Sequence, residues 1–522
     1  MSVEAKGGKE MDANLMTDYE QRRREQEEQR ERERTQNAGI FRSLAPASLL
    51  YALIYTVCVY HNLSGIAVLL WAAATVGYVC YAARTAGKRP GRESLFFASA
   101  MLLLGVSTFT TGNLWIVWMN YMLFFLLTVC FLLREFGGGQ WGFGAYVKEF
   151  FAAVWGALTD VGKPFADGND FIRTRKKGEN TKAHYVLFGI AAALPALLFL
   201  GLLLMAADMV FADMVREIFQ NFSLPSNVFG IGFMLCFGFF SSYCGVRFVG
   251  RRQGSADSAP GRSFEPVIAI TAVSMVAVLY VIFCGVQVLY LFWGGVRLPE
   301  GITYAGYARS GFFQLLFVCL INLVMVLLIE HFFRRQTALD IILTVISVCT
   351  LIMTASSAWR MALYVRAYHL TFLRVAVFAA LAAIALLMAG TVVFIWKPKF
   401  PLFRYGVAVI CVLYGVFSFS HVDGYIASYN LAQMEEHPDS GDYYYISCLS
   451  TDAAPQIAAY LSEHPGAETV WAEYGTYDWL AAYINQNEHA LLSTGWRSYN
   501  TSHAAAYELF SEEIETVLRQ EP

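Results

Sequence analysis

The chain has 522 residues, of which 57% are hydrophobic and 15% charged, with a mean hydropathy of +0.45 and a formal charge of −3. A soluble domain carries about 25% charged residues, so this composition excludes an ordinary soluble protein. The charge is divided: Asp423 to Pro522 holds 16 acids against Arg497 and Arg519, and the rest holds 25 acids and 36 bases. Those bases lie in short loops beside apolar stretches and not in one patch, so nucleic acid is excluded as a partner.

Residues 1–42 form a charged segment in which Gln21 to Arg34 (QRRREQEEQRERER) contains no apolar residue. Interleaved Glu and Arg support a helix through i,i+4 pairs, but a coiled coil needs apolar a and d positions. The segment reads as a solvated, partly helical cytoplasmic tail, with a partner-binding helix as the alternative. No cleavable signal peptide is expected, because about forty polar residues precede the first span, which then acts as an uncleaved anchor.

Residues 43–420 contain eleven apolar stretches, each roughly 17 to 25 residues, the length a helix needs to cross about 30 Å of hydrocarbon. They are Ser43 to Tyr60, Ser64 to Ala83, Leu95 to Thr111, Leu114 to Leu133, His184 to Ala206, Phe229 to Val246, Pro266 to Trp293, Phe312 to His331, Leu339 to Ala358, Leu373 to Trp396 and Leu402 to Ser420. The fold class expected is therefore all-α: a polytopic transmembrane bundle of about eleven spans, with the lipid bilayer as its first partner. Lys and Arg crowd alternate loops, such as Arg84 to Arg92, Arg134 to Lys182, Arg247 to Arg262 and Lys397 to Arg404. The positive-inside rule puts those loops in the cytoplasm of a cell-membrane protein. The N-terminus is then inside and the acidic residues 421–522 outside, as a small, mostly helical extracytoplasmic domain.

Between the fourth and fifth spans, Tyr146 to Gly162 places Phe150, Phe151, Val154, Trp155, Leu158 and Val161 on one helical stripe, which suits an interfacial helix or one packed beneath the bundle. In the tail, Ser450-Thr451-Asp452 before Pro455 and Asn500-Thr501-Ser502 before an Ala-rich stretch read as helix starts.

Chemical motifs are scarce. Nine of the ten cysteines fall in spans, where they act as small hydrophobes, and only Cys448 lies in the tail. There is no CxxC or Cys/His cluster, so no metal, cofactor or disulfide framework is expected. The glycines at 137, 139 and 142 follow a span and not a strand, which removes the dinucleotide reading. Catalytic residues are not identifiable. A candidate ligand site does emerge on one side of the bundle: Asp208 after the fifth span, Tyr304, Tyr307 and Arg309 before the eighth, Arg360, Tyr364 and Arg374 between the ninth and tenth, and Asp423 and Asn430 after the last. Arg among aromatic residues at an interface suits an anionic lipid or an envelope precursor. Membership of an aromatic belt, with arginines pairing to Asp208 or Asp423, is the competing explanation. One polar site would join Arg309 and Arg360 to Asp208 or Asp423.

The segments ADMVF, YLFWGG, TYAGYARSGFFQL, WRMALY, HLTFLR, HVDGYIASYN, LSTDAAP and WRSYN together resemble a family of bacterial multi-pass membrane proteins of unknown function, numbered 4173. The resemblance covers Asp208 to Asn500. It implies a bacterial envelope protein in which Asp208, Tyr307, Arg309, Gly311, Phe312, Arg360, Tyr364, Arg374, Asp423, Asn430, Asp452, Pro455, Arg497 and Asn500 match pattern positions, whereas His369 stands where a small residue is expected. It supplies no reaction. Three functions are carried: a binding or scaffold component at the outer face, a transporter or flippase for an envelope precursor, and an outer-face transferase, the last needing a carboxylate such as Asp208 or Asp423 in an open cleft beside Arg309.

Overall fold

The computed structural model describes residues 4–89, 91–137, 143–175, 227–252, 264–289, 312–436, 443–472, 475–493 and 495–518, with scattered positions from 189 to 214. Among these, ten helices are long and apolar enough to cross a membrane, which makes the protein an all-α, multi-pass membrane bundle. The expected span from His184 to Ala206 lies largely outside the described residues.

In chain order the long helices are α1 (Glu4–Val59), α2 (Ile66–Thr85), α3 (Arg92–Thr110), α4 (Leu114–Gly137), α5 (Phe143–Thr159), α6 (Lys163–Arg175), α7 (Val228–Arg251), α8 (Pro266–Val288), α9 (Phe312–Phe332), α10 (Thr337–Tyr368), α11 (Phe372–Trp396) and α12 (Leu402–Phe419). Their limits follow local chemistry. The α3 to α4 connection is three residues, which leaves room only for antiparallel neighbours. The helix α10 runs ten residues past the expected stop at Ala358, because the two arginines of WRMALYVRAY interrupt the apolar run while no Gly or Pro breaks the helix. The charged N-terminal run is continuous with the first span in α1, and Arg23 pairs with Glu27 at 3.1 Å one turn on.

The spans pack in two groups. In the first, α1 lies along α7 and α6, and α2 to α4 pack in sequence; in the second, α10 is flanked by α8, α9 and α11. The helix α12 touches both α11 and α3 and so joins them. Of the stripe expected on α5, Phe150 and Val154 pack against α4 and α7, whereas Phe151, Trp155 and Leu158 are exposed. That exposed apolar face is the side an interfacial helix turns to lipid.

The C-terminal residues form α13 (Val422–Glu436), α14 (Tyr443–Ser447), α15 (Ala454–Glu463), a two-stranded antiparallel hairpin of Thr469–Ala472 and Gly475–Asp478, then α16 (Trp479–Gln486), α17 (Glu488–Leu491), α18 (Thr501–Leu509) and α19 (Ser511–Leu518). Trp479, Tyr483, Ile457 and Ile426 are fully buried in one cluster with Ile116, Met361, Leu381 and Phe417 of the bundle. The apolar core is thus continuous from the C-terminal helices into the spans, and the end of the bundle they cover is termed the capped end.

Candidate functional site

A buried polar cluster lies at the capped end, where the turn Thr111-Gly112-Asn113 between α3 and α4 meets the C-terminal helices. Asp452 sits in the turn before α15, which Ser450 starts by accepting a hydrogen bond from the Asp452 amide, so the polar cap expected there is present. Its carboxylate accepts bonds from the Thr111 hydroxyl at 2.5 Å and the Gly112 amide at 2.7 Å. Only glycine fits at 112, since a Cβ there would meet Thr451 Oγ1 at 2.0 Å. Asp423, at the start of α13, accepts from Asn113 Nδ2 at 2.8 Å and from the Ser450 hydroxyl at 2.6 Å. Asn500 caps α18 through Oδ1, and its amide nitrogen donates to the Thr111 carbonyl at 2.8 Å.

Histidines flank these carboxylates. His421 Nδ1 lies 3.7 Å from Asp452 Oδ1, with its side chain half exposed and its backbone in the left-handed region at φ 46°. A non-glycine residue there is uncommon and invites a functional reading. The neighbouring Asp452 carboxylate pushes the His421 pKa up against the effect of burial. Burial pushes Asp423 up, ahead of the hydrogen bonds from Ser450 and Asn113. Burial also acts on Asp452, but the polar groups around it, His421, Ser502, Thr111 and Gly112, prevail and hold its carboxyl below the usual range. Burial lowers His503 to about 4. Two neighbouring carboxylates are thereby set apart in acidity by their surroundings.

The family model described as a domain of unknown function (DUF4153) matches residues 98–460. The chain belongs to the DUF4153 family. A family of unknown function is thus what the resemblance found, while the number 4173 is not confirmed, the matching model carrying 4153. No curated protein and no solved structure matches the chain. The DUF4153 match includes Thr111, His421, Asp423 and Asp452 but ends within α15, before Asn500 and His503.

The expected ligand residues of this DUF4153 protein fall in several places. Tyr304, Tyr307 and Arg309 lie outside the described residues. Asp208 is exposed and accepts from the amides of Val210 and Phe211 at 2.8 and 3.1 Å. Arg374 stacks on Tyr364 at 4.4 Å and donates to the carbonyls of Tyr368 and His369, which end α10. Asn430 clamps Leu370 at both its amide and its carbonyl, at 2.9 and 3.0 Å. Together with Asp423, Arg374 and Asn430 fasten turns at the capped end. Arg360 is buried within the second helix group and donates to Gln287 of α8 at 3.1 Å.

Arg360 ends a polar line that composition had hidden. Asp340, Thr344, Ser347, Thr350, Thr354, Ser357 and Arg360 recur every three or four residues on α10 and cover about 30 Å, the thickness of the hydrocarbon core. Asn322 of α9, fully buried, donates to Thr350 and accepts from Tyr280 of α8. Four of the hydroxyls donate to carbonyls one turn back, which lowers their cost in the membrane. The spacing itself was the signal. At the opposite end of the bundle, Arg247 of α7 is 3% exposed and bonds Asp167 through two nitrogens and Asp160 at 3.0 Å, and Tyr243 also donates to Asp167. Among the described residues, no group of three or more His, Cys, Asp or Glu could hold a metal ion.

Proposed function

We propose that this DUF4153 protein is a binding or scaffold component at the outer face of a bacterial cell membrane, with its N-terminus in the cytoplasm and residues 421–522 outside. One observation carries the reading: a single C-terminal unit is bonded to three separate turns at the same end of the bundle. Asp452, Asp423 and Asn500 hold the α3–α4 turn, and Asn430 and Tyr445 hold the α10–α11 turn. The residues around Arg497 hold the α1–α2 turn through Asn62 and the start of α2. Such bracing fixes a surface over the helices, which suits a platform for an anionic lipid, an envelope precursor or another protein. The expected ligand residues Tyr364, Arg374, Asp423 and Asn430 then shape the rim of that platform.

The polar line on α10 favours the second reading, a transporter or flippase for an envelope precursor, because buried hydroxyls and Asn322 cross the bundle where apolar side chains would pack as well. Complementation of a deletion strain, read by growth and envelope-lipid profile, separates the two. The scaffold reading expects Asn500→Ala to fail and Asn322→Leu with Thr350→Val to restore growth; the reverse pattern overturns it. The orientation is tested on Cys448, which is exposed, by a membrane-impermeant maleimide on intact cells. Labelling is expected, and protection until lysis refutes the orientation.

A further inference from the structure

A groove of about 420 Å³ runs between α3, α4 and α12, walled by Phe96, Leu103, Leu123, Leu127, Val412 and Val416 and ending at Ser418 and Phe419. Leu103, Val412 and Val416 are more than half exposed on spans, so the groove opens on the surface that the bilayer covers. Its size lies within the roughly 300 to 1,000 Å³ of small-molecule sites. Apolar walls facing hydrocarbon leave a lipid chain as the matching occupant, since a polar solute would lose its hydration there without replacement.

The groove has one polar end. Ser418 bonds Ser107, and both lie beside Asn120 of α4. Ser107 is four residues, about 6 Å of helix, below Thr111. Thr111 bonds Asp452, which faces His421 Nδ1, and His421 follows Phe419 by two residues. With Nδ1 turned to Asp452, Nε2 is the ring nitrogen left for a ligand, and no described residue hydrogen-bonds it.

We propose that this groove holds one hydrocarbon chain of a membrane phospholipid and that the imidazole of His421 receives the lipid phosphate. The Asp452 carboxylate keeps the ring protonated to higher pH than a free histidine, which gives it the sign a phosphate needs. Thr111 and Gly112 donate to the same carboxylate and offset part of its negative charge. The left-handed backbone at His421 holds the residue at the turn between α12 and α13, two residues past the end of an apolar span, and a helix leaving hydrocarbon meets the headgroups there. The site is the same on whichever side of the membrane the capped end faces.

The experiment is native mass spectrometry of the full chain in detergent, titrated with dioleoyl-phosphatidylglycerol or with dioleoylglycerol, which lacks the phosphate. A Cβ at Gly415 meets no atom within 4 Å, so Gly415→Leu extends into open space and not into a neighbour. It is expected to weaken the tightest phosphatidylglycerol adduct by at least about tenfold, the equivalent of roughly two buried methylenes. Ser99→Phe fills the groove from the opposite wall and serves if Gly415→Leu lowers the melting temperature. His421→Asn tolerates the left-handed backbone and should bring phosphatidylglycerol down to the affinity of dioleoylglycerol. Unchanged affinity in both filling variants overturns the chain site. Equal binding of the two lipids by the unaltered protein, or no effect of His421→Asn, overturns the headgroup assignment.

Discussion

Replacing Asp452 by alanine should loosen the capped end more than any other single truncation there. The carboxylate is the acceptor for the Gly112 amide and the Thr111 hydroxyl, both at the seam. A buried donor left without an acceptor costs about 1–3 kcal/mol, so two strand on the order of 2–6 kcal/mol. Removing the carboxylate relieves its own desolvation, which brings the expectation to about 3 kcal/mol. Thr111→Val removes one donor and leaves the Gly112 bond in place, so it should cost about 1 kcal/mol. Because both variants delete the same bond, the double variant should fall short of additivity by at least about 0.5 kcal/mol. Reversible unfolding by SDS titration in mixed micelles measures all three. A loss below about 1 kcal/mol for Asp452→Ala, or strict additivity with Thr111→Val, would refute the reasoning.

Acid should act through His503: its pKa falls from 6.5 to about 4 on burial, so the stability it contributes is present above pH 6.5 and is lost as the pH drops toward 4. The difference between the unaltered protein and His503→Gln across that window should reach up to roughly 3 kcal/mol, and parallel pH profiles would contradict it. Asp167→Leu should destabilise the opposite end by about 3 kcal/mol, since it strands buried Arg247; Asp160 remains as a partial partner, and Arg247→Leu in the same chain should recover much of the loss. Gly65→Ala should free the Arg497 turn, because Gly65 has φ 130° and an added Cβ would stand 2.4 Å from the Arg497 carbonyl oxygen. Limited proteolysis should then cut the C-terminal region faster, and an unchanged digest would count against that docking.

The spans were legible because apolar length is a property of each segment alone: Phe372–Trp396 and Leu402–Phe419 agree with their sequence limits to within a residue. The last ten residues of α10 were not, since Arg360, Tyr364 and Arg366 look like a loop by polarity although nothing there breaks a helix. The turn of Asp452 and the cap of Asn500 could be read locally, but their partners lie 341 and 389 residues away, and no periodicity encodes such pairs. Asp423, Asn430 and Arg374 were legible as polar groups by residue type, but their bonds to Asn113 and Ser450, to Leu370 and to the carbonyls that end α10 were not, because type carries no partner. The hairpin at 469–478 escaped notice because four-residue strands are too short to show alternation.

The long reach of Asp452 and Asn500 also sets a schedule for assembly. Thr111 emerges early in synthesis, and Asn500 follows it by 389 residues. At about 5–20 residues per second, that interval is roughly 20 to 80 seconds. Throughout it the Thr111 carbonyl waits for its donor, while Asp423 and Asp452, the acceptors of the same turn, arrive 310 and 341 residues after their partners. A ribosome that stops between Asp452 and Arg497 therefore releases a protein in which the carboxylates already hold the α3–α4 turn but the Arg497 clasp on α1–α2 and the Asn500 bond to Thr111 are missing.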